Sequence, residues 1–433
     1  MQECRRISRE SEQRSLKSLH WLGVLCGLVA GAWLGAAEAP VKLVTIGLSP
    51  WAISPCMVSG VFVARWTFPT LLKGTGYVFQ DLNSKRHLIV WALLAGSLWA
   101  VANTLTVFAI RDVGLAVAFP LWNANALVGL VWARILFKEL KGARRAVIVR
   151  VVLGAVAIVL AASMLGFSSI HNGHRSGDHA ARGVVAAVGA CLLWGTMYIP
   201  YRKAYISGMN PLSFVTAFTV GELYTVTVLA ATLGGELFRI AQELQRARGL
   251  LFWLFLGGFV WVVGDLFQQF AAKYLGIGRG IPLTSTNQLW GLAWAALVFG
   301  ELRDATRVRD LLVLGGSLTM IAGAALIGSG AASGRERTSQ NEAVLRECDR
   351  YGLDYLQTLQ TMNGVDAETR HSGRRWWDYL IIAAALSFVV GFAITAVVPP
   401  IGIDRLWLCI LSVILLLGLA AGTVHLWRST SFS

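Results

Sequence analysis

Residues 93–140 read LLAGSLWAVANTLTVFAIRDVGLAVAFPLWNANALVGLVWARILFKEL, and residues 255–302 read FLGGFVWVVGDLFQQFAAKYLGIGRGIPLTSTNQLWGLAWAALVFGEL. The two stretches align without a gap at an offset of 162 positions. Gly96 falls on Gly258, Trp99 on Trp261, Gly114 on Gly276, Pro120 on Pro282, Asn125 on Asn287, Gly129 on Gly291 and Trp132 on Trp294. Phe137, Glu139 and Leu140 fall on Phe299, Glu301 and Leu302. Compositional bias gives chance matches of Gly and Ala. It does not put two Trp, a Pro, an Asn and a Glu into one register, so the chain holds an internal duplication. Fainter echoes extend it towards the N-terminus. Gly35, Pro40 and Lys42 match Gly195, Pro200 and Arg202, and Ser49-Pro50 matches Asn210-Pro211.

Hydrophobic residues make up 55% of the 433 and charged residues only 14%, where a soluble chain carries about a quarter charged. The composition is that of a polytopic membrane protein. The net charge of +14 does not point to nucleic acid, because Lys and Arg gather in the tail and between apolar runs, as membrane orientation requires. The six Cys are scattered without a CxxC or metal-ligand spacing, so neither a metal site nor a cofactor is expected.

A hydrocarbon core takes about 20 apolar residues per helix. On that measure, spans fall near 21–42, 50–72, 88–110, 113–136 and 146–168, then 184–203, 212–235, 250–272, 277–299 and 308–330. The basic start, the apolar run and Ala37-Glu38-Ala39 imitate a secretion signal. Pro40 directly after that site disfavours cleavage, so the segment is read as a retained span. Five spans per copy is an odd number, so the second copy is expected upside down relative to the first, an inverted repeat of transporter type. Two more apolar runs, 377–398 and 405–427, form a hairpin around Pro399-Pro400 with no counterpart in the first copy.

The fold expected is therefore an all-α polytopic membrane protein, with two inverted five-helix repeats (ten spans) and a C-terminal two-helix hairpin. Its parts are a cytoplasmic tail (1–20), the first repeat (21–170), the second repeat (183–330), a cytoplasmic linker (331–375) and the hairpin (376–433). In the linker, Ser339 and Glu342 form a capping-box pattern. Leu345, Cys348, Gly352, Tyr355 or Leu356, and Leu359 follow at the spacing of a short amphipathic helix. The basic tail and the loops with Lys73, Lys85, Arg86, Lys138, Lys141, Arg144 and Arg145 put both termini in the cytoplasm and the protein in the plasma (inner) membrane.

Polar side chains inside a bilayer are costly, and each is a candidate for function. Asp265 lies in mid-span, with Gly258, Trp261 and Gln268 or Gln269 on its helix face. The matching stripe in the first copy is Gly96, Trp99, Asn103 and Thr106. An Asn facing an Asp across the repeat suits a site that binds substrate and a proton. Asn123, Asn125, Asn287 and Gln288 lie after Pro120 and Pro282, where the fourth and ninth spans are expected to break and free backbone carbonyls. The substrate-binding candidates are thus Trp99, Asn103, Asn123, Asn125, Trp261, Asp265, Gln268, Gln269, Asn287 and Gln288. Trp122 and Trp290 join them as indole faces for a sugar ring. Asp265, Glu38 and Glu222 are the proton-coupling candidates, with Glu222 facing Arg65 or Arg202. Gly129 and Gly291 are read as packing residues, and Glu139 and Glu301 as structural charges at the membrane interface.

The ten spans and the duplicated Pro, Asn, Gly, Trp, Phe and Glu resemble the drug/metabolite transporter superfamily. FPLWNANALVGLVWARILFKEL, with Gly-Leu-Ala-Val before it, resembles the glucose/ribose porter family of sugar transporters. The likeness covers about residues 21–330 and implies a sugar carrier that works by alternating access, with proton symport. Its partners would be the bilayer, a sugar, protons and no nucleic acid, and a homodimer is compatible with the extra hairpin. The alternatives are a carrier of a nucleobase, amino acid or drug, and a structural protein or lipid scramblase. An enzyme is not expected. Val263-Gly264-Asp265 matches the Gly-Asp of intramembrane aspartyl proteases, but that chemistry needs a second Asp sharing the proton, and no second mid-span Asp exists in the ten-span core. No GxSxG or HExxH motif occurs.

Overall fold

The computed structural model describes all residues except 1, 38, 41–42, 45–47, 114–117, 119–120, 169–176, 235–236, 301–306, 331–333, 366–373, 401 and 433. Among the described residues it is all-helical, and nine helices are long and apolar enough to cross a membrane. The first copy supplies α1 (Gln2–Ala36), α2 (Pro50–Leu72), α3 (Thr75–Ser84), α4 (His87–Val113), α5 (Asn125–Ile135) and α6 (Arg145–Ser168). The second supplies α7 (Gly177–Ile206), α8 (Pro211–Leu233), α9 (Leu237–Arg246), α10 (Leu251–Leu275), α11 (Ile277–Thr284), α12 (Asn287–Ala293) and α13 (Arg307–Gly328). Then follow α14 (Gly334–Tyr351), α15 (Tyr355–Met362), α16 (Trp376–Thr395) and α17 (Arg405–Thr430).

Twelve spans were expected, the fourth and ninth broken after their prolines; these two and the second are not among the nine. At 23 residues α2 is long enough, but Arg65, Pro55, Pro69 and several hydroxyls make it too polar to count among the nine. The ninth span is broken into α11, α12 and a π-helical turn at Trp294–Val298. The break follows Pro282, whose missing N–H and ring oppose a continuous helix. Thr286 precedes α12 where Ala124 precedes α5, so the break recurs at the repeat-related position. Pro120 itself lies outside the described residues.

Helix contacts pair up under exchange of the copies. α1 packs on α10 as α7 packs on α4; α2 packs on α10 as α8 packs on α4; α1 meets α12 as α7 meets α5. The self-paired contacts α2 with α8 and α6 with α13 complete the set. Glycines set the close crossings. A Cβ on Gly258 would collide with Met57 O and one on Gly60 with Phe255 O, which fastens α2 to α10 backbone to backbone. Gly96 against Phe218 O and Gly221 against Leu93 O repeat this between α4 and α8. Such small-residue contacts are the usual means of close approach in membranes, where no hydrophobic force drives helices together.

The short helices α3 and α9 were read as loops in the sequence. They occupy equivalent places and cap each other's neighbours. The Asp81 carboxylate accepts from Asn210 N at 3.0 Å, ahead of α8. The Glu243 carboxylate accepts from Ser49 N at 3.2 Å and Ser49 Oγ at 2.6 Å, ahead of α2. A carboxylate at a helix start satisfies orphan N–H groups and meets the positive end of the dipole.

The hairpin α16–α17 stands against the core and is mostly exposed. Trp253 Nε1 donates to Val397 O at 2.9 Å and Trp33 Nε1 to Leu415 O at 3.3 Å, fixing it to α10 and α1. The linker departs from its expected form. Its helix starts at Gly334, five positions before the capping-box pattern, so Ser339 is an interior residue with a buried, unpartnered hydroxyl. The stripe holds at Cys348 but not at Leu345, which is exposed while its neighbour Val344 is buried. The packing surface beneath, not the local pattern, sets the start and phase of α14.

Candidate functional site

Arg65 is the centre of the polar core. From α2 its Nη1 donates to Glu222 Oε2 of α8 at 2.7 Å, and its Nη2 to Asp265 Oδ2 of α10 at 2.7 Å. All three side chains have 0% exposure. The Phe218 ring lies 4.0 Å from the guanidinium carbon and the Trp261 ring 5.4 Å, close enough for cation–π attraction. Trp99 packs on Trp261 with centroids 5.2 Å apart. Asp265 Oδ1 accepts from Gln269 Nε2 at 3.0 Å, and Tyr205 donates to Gln269 in turn. Glu222 Oε1 forms no hydrogen bond of ordinary geometry.

The repeat supplies a control for this cluster. Carried across the duplication, Arg65 maps to Val226, Glu222 to Val61 and Asp265 to Asn103. Val61 and Val226 are buried, so the same fold packs at the equivalent place with two valines and an amide. A buried charge triad can often be replaced by apolar residues at no cost in stability, or with a gain. The repeat-related place is thus packed without these charges, which marks the triad as a candidate site rather than a plain packing feature.

The remaining sequence candidates do not gather into one seat. Trp99, Trp261, Asp265 and Gln269 share the cluster. Gln268 turns the other way and donates to Thr284 Oγ1 of α11 at 2.9 Å. Asn125 donates to Trp122 O at 2.8 Å and accepts from Tyr198 at 3.0 Å. Gln288, one turn beyond Thr284, is buried with both amide atoms unpartnered. Asn103 and Asn287 each hold one buried amide atom without a partner, and Asn123 is buried. The Asn287 backbone and Trp290 press on Gly35 of α1, where a Cβ would not fit. Gly129 meets the Tyr198 ring, as a packing glycine should. Glu38 lies outside the described residues, as does Glu301.

Of the two arginines considered for Glu222, Arg65 takes it and Arg202 does not. Arg202 pairs with Glu139 at 2.8 Å, both buried. Glu139 also accepts from Ile277 N at 3.3 Å and Gly278 N at 3.0 Å. It is thus a structural charge, as expected, and a buried one that caps the start of α11: Gly276, with φ +83°, turns the chain so that those donors face it. The sequence reading missed Tyr198, Tyr201 and Tyr205. Their spacing of three and four on α7 was the available signal.

A cavity of about 530 Å³ lies away from this cluster, between the core and the hairpin, and is lined by Trp33, Trp253, Leu256, Trp294, Leu415 and Leu416 among others. Its walls are almost wholly apolar and bring together few groups that could meet a sugar's hydroxyls.

No family model matches this chain. A Listeria monocytogenes protein provisionally named for sugar uptake is 23% identical over 297 residues, covering 66% of this chain and 98% of its own. A similarly named protein of Listeria innocua is 21% identical over 271 residues, 62% of this chain and 87% of its own. Transmembrane protein 144 homolog B of Dictyostelium discoideum is 24% identical over 149 residues, 33% of this chain and 41% of its own. A solved structure overlays 69% of this chain and 95% of its own at a TM-score of 0.46 and 15% identity, too loosely to bear on the fold. The chain is a multi-pass membrane protein similar to proteins provisionally assigned to sugar uptake, and its features are those of a transporter rather than an enzyme.

Proposed function

We propose that this chain is a secondary carrier that moves a sugar by alternating access between two five-helix copies lying in opposite senses in the bilayer, as in the drug/metabolite transporter superfamily. The reciprocal contacts and exchanged caps support the two-fold relation. So does the meeting of ends: His20, near the start of the apolar part of α1 (Ser18–Ala36), has Nε2 2.9 Å from Gly328 O at the end of α13. Transporters of this design hold substrate near the midplane where the copies meet. Basic loops put both termini in the cytoplasm and the carrier in the plasma membrane.

The observation that carries the reading is the Arg65 cluster. It joins the first copy to the second with charges that the mirror position lacks. One arginine against two carboxylates leaves an uncompensated negative charge, and a proton neutralises it. Both Asp265 oxygens are engaged, whereas Glu222 Oε1 is not. The proton therefore belongs on Glu222 rather than on Asp265, the sequence's first choice. The sugar's hydroxyls would meet the neutral track of Asn125, Tyr198, Gln268, Thr284 and Gln288, and its apolar face an indole such as Trp122.

Uptake of a labelled sugar panel into proteoliposomes under an inward proton gradient tests this. Saturable uptake of one sugar is expected, lost when the gradient is collapsed or when Glu222→Gln is introduced. Folded protein that moves no sugar refutes the sugar assignment and leaves a nucleobase, amino acid or drug as cargo. Gradient-independent uptake refutes the proton's role while keeping the sugar.

A further inference from the structure

Helices α14 and α15 are not a loose tether, for they lie across one end of the core and are fastened at several points. Glu336 accepts from both Nη atoms of Arg279 at 2.8 and 2.9 Å, with almost no exposure on either side. Glu347 pairs with Lys203 at 3.0 Å. Tyr351 stacks on His87 with ring centroids 4.0 Å apart and planes at 17°. The chain turns at Gly352, with φ +64°, Asp354 caps α15, and Thr358 packs on Gly208. Val344 and Cys348 belong to the buried apolar cluster that includes Phe137, Ala204, Ile277 and Ile281.

These anchors belong to separate elements of both copies. Arg279 is in α11, Lys203 is at the end of α7 and His87 opens α4. A linker that only spans a distance has no need to bury a two-pronged ion pair, whose desolvation is tolerated only when the geometry is this complete. Between this end and the Arg65 cluster the core is filled by Tyr201, Tyr205, Phe214 and Phe218, all fully buried. The end is shut, and a segment that ties α4, α7 and α11 together is the outermost layer of the closure.

We propose that residues 334–365 form an autoinhibitory latch: docked, they hold this end of the carrier closed, and the end opens only when they release. The inference rests on the alternating-access reading. Moving α4 of the first copy away from α7 and α11 of the second breaks either the Tyr351–His87 stack or the Glu347–Lys203 and Glu336–Arg279 pairs, so an open mouth and a fully docked latch exclude each other. The docked fraction then limits transport, as any closed-state population does.

Cys348 reports on release, because it is buried under the docked latch and burial pushes its thiol up. Its labelling by a hydrophilic maleimide, located by mass spectrometry, is to be followed in the full-length protein in liposomes. Glu347→Gln removes one anchor while Lys203 keeps the Trp91 and Tyr351 ring faces, so folding should survive. Labelling should speed up about tenfold or more, the equivalent of one lost charge-assisted bond. Joining Lys203→Cys to Glu347→Cys with a reducible bis-thiosulfonate should stop sugar uptake until reductant is added. Equal labelling rates in wild type and variant, or full uptake by the bridged protein, would overturn the latch. Should unbridged protein move no sugar, the carrier reading fails on its own, and labelling alone still decides whether the segment releases.

Discussion

Exchanging the cluster for its own mirror image separates function from stability. The perturbation is the triple variant Arg65→Val, Glu222→Val and Asp265→Asn, which installs the residues found at the repeat-related positions Val226, Val61 and Asn103. Arg65→Val alone leaves two fully buried carboxylates without a counter-charge, and breaking a buried pair in this way costs about 3–5 kcal/mol. In the triple variant the charges vanish together. What remains is the void left by shortening Arg65, about 1 kcal/mol, set against a desolvation cost that is no longer incurred and is often worth 1–4 kcal/mol. The triple variant should therefore melt at or above the wild-type temperature in detergent, the single variant well below it, and both should fail to accumulate sugar. Thermal melts read by size-exclusion chromatography, with proteoliposome uptake beside them, make the comparison. A triple variant as unstable as Arg65→Val alone would refute the claim that the charges serve function and not the fold.

Three further outcomes follow from the packing. Gly258→Ala forces α2 off α10 at Met57 O and should cost several kcal/mol, as overpacking does, seen as loss of monodisperse protein; Gly402→Ala, with nothing within 4 Å, should be silent. Glu139→Gln strands the buried Arg202 charge and should destabilise by about 3 kcal/mol, measured by the same melt, with Asp81→Asn as the milder comparison, since its ion-pair partner Lys85 is partly exposed and can be solvated. Gln288→Leu removes an amide whose two polar atoms have no partner, so it should leave the melt unchanged or raise it by about 1 kcal/mol while raising the KM for sugar.

Composition and the lengths of the apolar runs made the membrane class and the span positions legible, and the duplication with its paired Pro120 and Pro282 did the same for the ninth-span break. Asp265, Trp261, Gln269 and Glu222 were also visible as polar residues in apolar runs. Their assembly was not. Arg65 lies 157 and 200 positions from its partners, and nothing local tells Glu222 to choose it over Arg202. The same blindness hid Glu139, whose span-end position fits an exposed charge until Gly276 folds the next segment over it. The ten-residue helices α3 and α9 escaped because short amphipathic stretches between spans look like polar loops. Ser339 shows the reverse error, in which a correct local signature is overruled by what α14 lies upon.

The two glycine crossings carry a mechanical consequence. At Gly60–Gly258 and again at Gly96–Gly221, helices touch backbone to backbone at the glycines themselves. Interlocked knobs resist rolling, since each must climb out of its socket, whereas smooth surfaces turn on one another with little resistance. The rocking proposed for the two copies would turn on this matched pair of bearings, each one helical turn from a Trp of the Trp99–Trp261 contact.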